Sequence, residues 1–108
     1  MATKANIVVD QGTTFSTTIS VVDDDGLPID LSTYTSRSQM RKHYTSSNSV
    51  AFTTAVNALG EITLTLTSSQ TANLVPGRYV YDVEVVSSAN AVTRLIEGIV
   101  TVTPEVTR

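Results

Sequence analysis

The stretch Leu74-Val75-Pro76-Gly77-Arg78-Tyr79-Val80-Tyr81-Asp82-Val83 decides how this chain folds. It places two of the chain's four tyrosines one residue apart, directly after a Pro-Gly turn, in a protein with no tryptophan. A spacing of two puts both rings on one side of an extended strand. Val83 and Val85 continue that side, and Val80, Asp82, Glu84 and Val86 take the other. Pro76 removes a backbone donor and Gly77 admits turn geometry, so the strand starts only after them. Immediately upstream, Ser68-Ser69-Gln70-Thr71-Ala72-Asn73-Leu74 offers a capping serine followed by Ala and Leu. Seven residues are too few for a helix that stands alone, so this segment reads as a helical corner between two strands.

Outward from that corner the chain alternates. In Thr13–Val22, Phe15, Thr17, Ile19 and Val21 share one face. In Glu61–Thr67, Ile62, Leu64 and Leu66 do the same. This period of two marks half-buried antiparallel strands. The segment 92–102 is apolar on both faces, with Ile96, Val100 and Val102 on one and Leu95 and Ile99 on the other. Turn residues separate these runs: Asp23-Asp24-Asp25-Gly26-Leu27-Pro28, Ala58-Leu59-Gly60 and Ser87-Ser88-Ala89-Asn90. Pro104 ends the last strand. Strands are expected near 6–9, 13–22, 34–44, 50–57, 61–67, 78–87 and 92–103. Seven short strands with frequent turns predict an all-β, antiparallel sandwich of two sheets with one short helical turn.

Leu74, Gly77, Tyr79 and Tyr81 define that fold. They look like the tyrosine corner of immunoglobulin-like sandwiches, where a Tyr at a strand start bonds the backbone just upstream and pins the crossing between sheets. The plainer alternative is a strand in which both rings only pack. In either case the tyrosines are structural.

The chain has 108 residues, which fits a single domain over 1–108 with short arms at 1–5 and 104–108. A domain of this size buries about two thirds of its unfolded surface. The net charge of −3 argues against a nucleic-acid partner, which demands clustered Lys and Arg. The absence of cysteine excludes disulfides and thiolate metal sites. No apolar run reaches the length of a membrane span and the N-terminal residues lack a signal-peptide core, so a cytoplasmic site of synthesis or assembly is expected.

No catalytic constellation stands out. His43 is the only histidine and has no nucleophile motif beside it. Arg37, Gln39, Arg41 and His43 form a basic stripe on one strand face, suited to an acidic protein neighbour or to solvent. Asp23, Asp24 and Asp25, with Asp30 nearby, raise the question of calcium, but the spacing of a calcium loop is missing and a charged turn reads better. Asp82 and Glu84, with Glu97 across the hairpin, could serve as a glycosidase pair. Arg78 and Arg94 are their expected cross-strand partners, which favours a salt-bridged surface. The chain therefore reads as a non-enzyme with no cofactor, no metal and no small-molecule substrate.

Four segments carry a resemblance: Ile7-Val8-Val9-Asp10-Gln11-Gly12-Thr13-Thr14-Phe15, Asp30-Leu31-Ser32-Thr33-Tyr34, Leu74 to Asp82, and Glu97-Gly98-Ile99-Val100-Thr101-Val102-Thr103-Pro104. Over nearly its whole length the chain resembles the immunoglobulin-like structural modules of tailed bacteriophages, small virion proteins similar to the N-terminal domain of baseplate upper proteins. That resemblance implies a virion location, assembly in the host cytoplasm, and partners that are other virion proteins or copies of the chain itself. Capsid decoration or cement is the first expectation, and a tail, neck or baseplate component the second. A host-surface or carbohydrate-binding module is the third; it calls for an exposed aromatic patch, and with Phe15, Phe52, Tyr79 and Tyr81 expected to be buried only Tyr34 and Tyr44 are left for one. Receptor-binding members carry long extensions, and none follows Arg108 in this sequence. Sheet edges and terminal arms would make the contacts, with Ile7, Val8, Leu95, Ile99, Val106 and Arg108 as candidates.

Overall fold

Thr, Ser and Val dominate a chain poor in helix formers, and β-branched side chains suit a pleated surface. A computed structural model describes residues 3–23 and 25–106. Among these residues nine strands and one helical turn follow in order: β1 (Thr3–Lys4), β2 (Ile7–Asp10), β3 (Phe15–Ser20), β4 (Thr35–Arg41), β5 (Val50–Ala51), β6 (Thr53–Val56), β7 (Glu61–Leu66), α1 (Ser68–Ala72), β8 (Gly77–Val86) and β9 (Val92–Thr103). They form two sheets. The larger runs β1-β9-β8-β4-β5, with β2 also paired to β9, and the smaller runs β3-β7-β6.

In this order β3, β7 and β6 take the places of the B, E and D strands of an immunoglobulin-like sandwich, and β4, β8 and β9 those of C, F and G. The expected all-β sandwich is therefore the fold. One part of the expectation needs correcting, because pairing is not antiparallel throughout. Both β1 and β2 run parallel to β9, with Thr3 opposite Ile96 and Ile7 opposite Val100. Residues 3–5 are thus no free arm. The Ala5 N–H donates to the Glu97 carbonyl at 2.9 Å, so the N-terminal segment closes the edge of β9. The C-terminal arm also begins attached, since the Glu105 N–H donates to Gln11 Oε1 at 3.1 Å.

β9 is the spine. Twelve residues at about 3.4 Å each nearly span the 44 Å long axis of the molecule. The strand expected over 50–57 is divided at Phe52: Val50 and Ala51 pair with β4, and Thr53–Val56 pair with β7. Phe52 lies between the sheets at that crossing, 6.3 Å from Phe15 and 6.0 Å from Tyr81, ring centre to ring centre. Around it Val9, Leu31, Met40, Ile62, Leu64, Leu66, Val83, Ile96 and Val100 are fully buried. Burial at alternate positions of β7 and β8 follows the alternation of the sequence.

The corner before β8 is held as the sequence suggests. Tyr79 Oη donates to the Val75 carbonyl at 2.7 Å, four residues upstream. Leu74 is 4% exposed beneath it. Gly77 opens β8 at φ 137°, a conformation that favours glycine. The helical turn carries a capping box, but its cap is Thr67 and not the expected serine. Thr67 Oγ1 accepts from the Gln70 N–H, and Gln70 Oε1 accepts from the Thr67 N–H. Thr71, fully buried, donates to the Thr13 carbonyl at 2.7 Å and so ties this turn to the start of β3.

Candidate binding face and sheet edges

The outward side chains of the larger sheet come from alternate positions of three strands. β4 supplies Arg37, Gln39 and Arg41; β8 supplies Val80, Asp82 and Glu84, directly opposite them in register. β9 adds Glu97 across from Asp82 and Ile99 across from Val80. The basic stripe of Arg37, Gln39 and Arg41 is therefore real, but it ends at Arg41. His43 sits beyond the strand in an exposed turn, where its N–H donates to Ser46 Oγ at 3.1 Å.

Opposite charges pair across this face. Arg37 Nε lies 2.9 Å from Glu84 Oε1. Arg94 reaches Asp82 at 3.2 Å and Glu97 at 3.4 Å. Arg94 is a cross-strand partner as expected. Arg78 makes no ion pair among the described residues, and Arg37 takes the place expected of it. Partial burial pushes the Asp82 carboxyl up from its ordinary value, Glu84 adds to the rise, and Arg94 opposes it. Arg41 is held at both ends of its guanidinium, donating to the Ser46 carbonyl at 2.5 Å and to Gln39 Oε1 at 3.0 Å.

Gln39, Arg41, Val80, Asp82, Glu84, Arg94, Glu97 and Ile99, but not Arg37, line a groove of about 550 Å³ that Lys4, Asn6 and Tyr44 also border. Tyr44 is 86% exposed. Tyr34, expected to be exposed with it, instead packs against the core. The sequence alone could not show that Lys4 and Asn6 belong to this face, because only the parallel pairing with β9 brings them there. Asn6 does so through its side chain: Oδ1 accepts from the Ile99 N–H at 3.1 Å, replacing a backbone acceptor at the break between β1 and β2.

The candidate contact residues divide. Val8, Ile99 and Val106 are exposed, at 61%, 39% and 92%. Ile7 shares the inward side of β2 with Val9 and packs against the core. Leu95, expected to face outward with Ile99, also packs against the core. The reason is a β-bulge: Val83 pairs with Ile96 and Glu84 with Arg94, leaving Leu95 as the extra residue that breaks the alternation. Arg108 lies outside the described residues.

Two aspartates of the 23–30 loop, Asp23 and Asp30, are spent on backbone geometry. Asp23 Oδ1 accepts from the N–H groups of Asp25 and Leu27, at 2.9 and 3.0 Å. Asp30 Oδ1 accepts from the Ser32 N–H at 2.9 Å, and bonding to Ser32 holds its carboxyl below the ordinary value. Asp24 lies outside the described residues. Among the described residues no group of three or more His, Asp or Glu side chains is placed to hold a metal ion, and no helix is long and apolar enough to cross a membrane.

The free edges lie elsewhere. β9 is covered by β1 and β2, whereas β3 is the outer strand of the smaller sheet and, among the described residues, no strand pairs with its far side. Its six residues, Phe-Ser-Thr-Thr-Ile-Ser, carry no charge, no proline and no bulge, the devices that usually blunt an edge.

No family model matches this sequence, and no curated protein does. Among solved structures, the chain is similar to an internalin-like protein of Listeria monocytogenes, at 19% identity and a TM-score of 0.51. That match covers 94% of this chain and 28% of the other. A family 123 glycoside hydrolase from Clostridium perfringens matches at 11% identity and a TM-score of 0.44, over 97% of this chain and 24% of that one. The chain thus spans about a quarter of the length of either protein. The first likeness is one of fold.

Proposed function

We propose that this chain is a structural module of a tailed-bacteriophage particle that acts by binding neighbouring virion subunits, foremost as a decoration or cement protein on the capsid. It is added as the particle assembles in the host cytoplasm, and it works without catalysis and without a cofactor. Two things support this reading: the segments that resemble phage immunoglobulin-like modules, and the uncharged free edge of β3. The edge carries the mechanism. Its unpaired N–H and C=O groups can accept a strand from a neighbour, with affinity from main-chain hydrogen bonds.

Quantitative mass spectrometry of purified virions tests the proposal. The expected result is a copy number on the scale of the capsid lattice. A copy number set by the rotational symmetry of a ring would instead favour a tail, neck or baseplate component. Absence of the chain from purified virions overturns both. A Ser16→Lys variant, which places a charge on β3 at an exposed position, is expected to lower incorporation while leaving the melting temperature of the isolated chain within a few degrees of the parent.

A further inference from the structure

We propose that the groove on the outer face of the larger sheet is a binding site for a neutral saccharide. This inference is separate from the particle role, since it rests on the sheet face and not on the free edge. The groove, at about 550 Å³, lies within the size range of small-ligand sites, about 300–1,000 Å³.

Charge selects the ligand class. Lys4, Arg41 and Arg94 line the groove together with Asp82, Glu84 and Glu97, three cations against three carboxylates. With Arg37 also paired to Glu84 from just outside the groove, the local charge stays close to neutral and gives no strong pull on a phosphate, a carboxylate or an ammonium group. It does supply donor-only guanidinium groups, acceptor-only carboxylates and the Gln39 amide, which does both. A ligand bearing many hydroxyls, each able to donate and accept, matches that set.

The polar groups are fixed in advance. The Ser46 carbonyl and Gln39 hold Arg41, and Asp82 and Glu97 hold Arg94. Fixed groups lose little freedom on binding, which favours affinity. The apolar component is also present. Val80 and Ile99 lie in the floor, and the Tyr44 ring stands at the rim with almost all of its surface in water. The fold makes no use of that ring, and a sugar's C–H face can stack on it.

The full 108-residue chain, fluorescently labelled, is applied to an array of neutral, sialylated and sulfated glycans. Retention of at least one neutral glycan is expected, with no preference for the charged ones. Tyr44→Ala should weaken that binding about tenfold, the loss of one stacked ring, while Tyr44→Phe keeps it. Gln39→Ala should weaken it as well. Because Tyr44 is exposed, its variants should melt with the parent chain. The proposal is overturned if no neutral glycan is retained, if charged glycans are preferred, or if Tyr44→Ala and Gln39→Ala both bind like the parent. The array uses the isolated chain, so its outcome is independent of incorporation into a particle.

Discussion

Tyr79 and Tyr81 leave the same face of β8, yet their hydroxyls hold different parts of the molecule. Tyr79 bonds locally, to Val75, at the surface beneath Lys42, whose Nζ lies 4.8 Å from the ring centre. Tyr81 reaches across the sheet to the Ala5 carbonyl. Removing the first hydroxyl leaves a carbonyl that water can reach, so Tyr79→Phe should cost about 1 kcal/mol in urea unfolding. Removing the second strands a carbonyl under a nearly buried ring, and Tyr81→Phe should cost about 1–3 kcal/mol. The two differ in pH response. Burial pushes the Tyr81 hydroxyl up to about 12, from an ordinary value of 10.0. Between those values the folded chain holds a proton that the unfolded chain has released, so stability falls as pH rises through the window. The stability gap between parent and Tyr81→Phe should therefore narrow in denaturation curves taken at increasing pH from 10 to 12. A constant gap would show that the hydroxyl titrates no differently once folded.

At the scale of elements, most of the strands were legible because alternation is a local signal. Glu61–Leu66, Gly77–Val86 and Val92–Thr103 lie within a residue or so of their expected limits. What local patterning could not give was pairing over long sequence separations. The parallel attachment of β1 and β2 to β9 joins residues more than ninety positions apart, and the bulge at Leu95 depends on the register between β8 and β9. The candidate groove was half legible for the same reason. Arg37, Gln39 and Arg41 were readable as a stripe, but their apposition to Asp82 and Glu84 comes from a contact between non-consecutive strands. Gly98 shows how tightly this arrangement is packed. A Cβ added there would collide with the Ala5 carbonyl, part of the backbone of the covering strand. Gly98→Ala should cost about 1–3 kcal/mol. Hydrogen exchange should locate the damage: the amides of β1 and β2 lose protection first, while those of β7 keep theirs.

At the scale of the whole molecule, the first strands pair with the last, so the larger sheet cannot be completed until both ends of the chain are in place. Topologies dominated by such distant pairings close slowly, in milliseconds to seconds for sandwiches of this size. Stopped-flow refolding followed by tyrosine fluorescence should show that regime, and a microsecond phase carrying the full amplitude would contradict it. Phe15, Phe52 and Tyr81 span the gap between the layers where antibody domains place a cystine, and Tyr81 stands two residues after the corner tyrosine, in the slot of the second half-cystine. Reductants have nothing there to break. A clasp of rings, unlike a covalent one, draws its strength from water's exclusion, which fades on chilling and under hydrostatic load. Thus the two layers should loosen in a pressure cell or in supercooled solution under conditions a cystine-linked counterpart would survive.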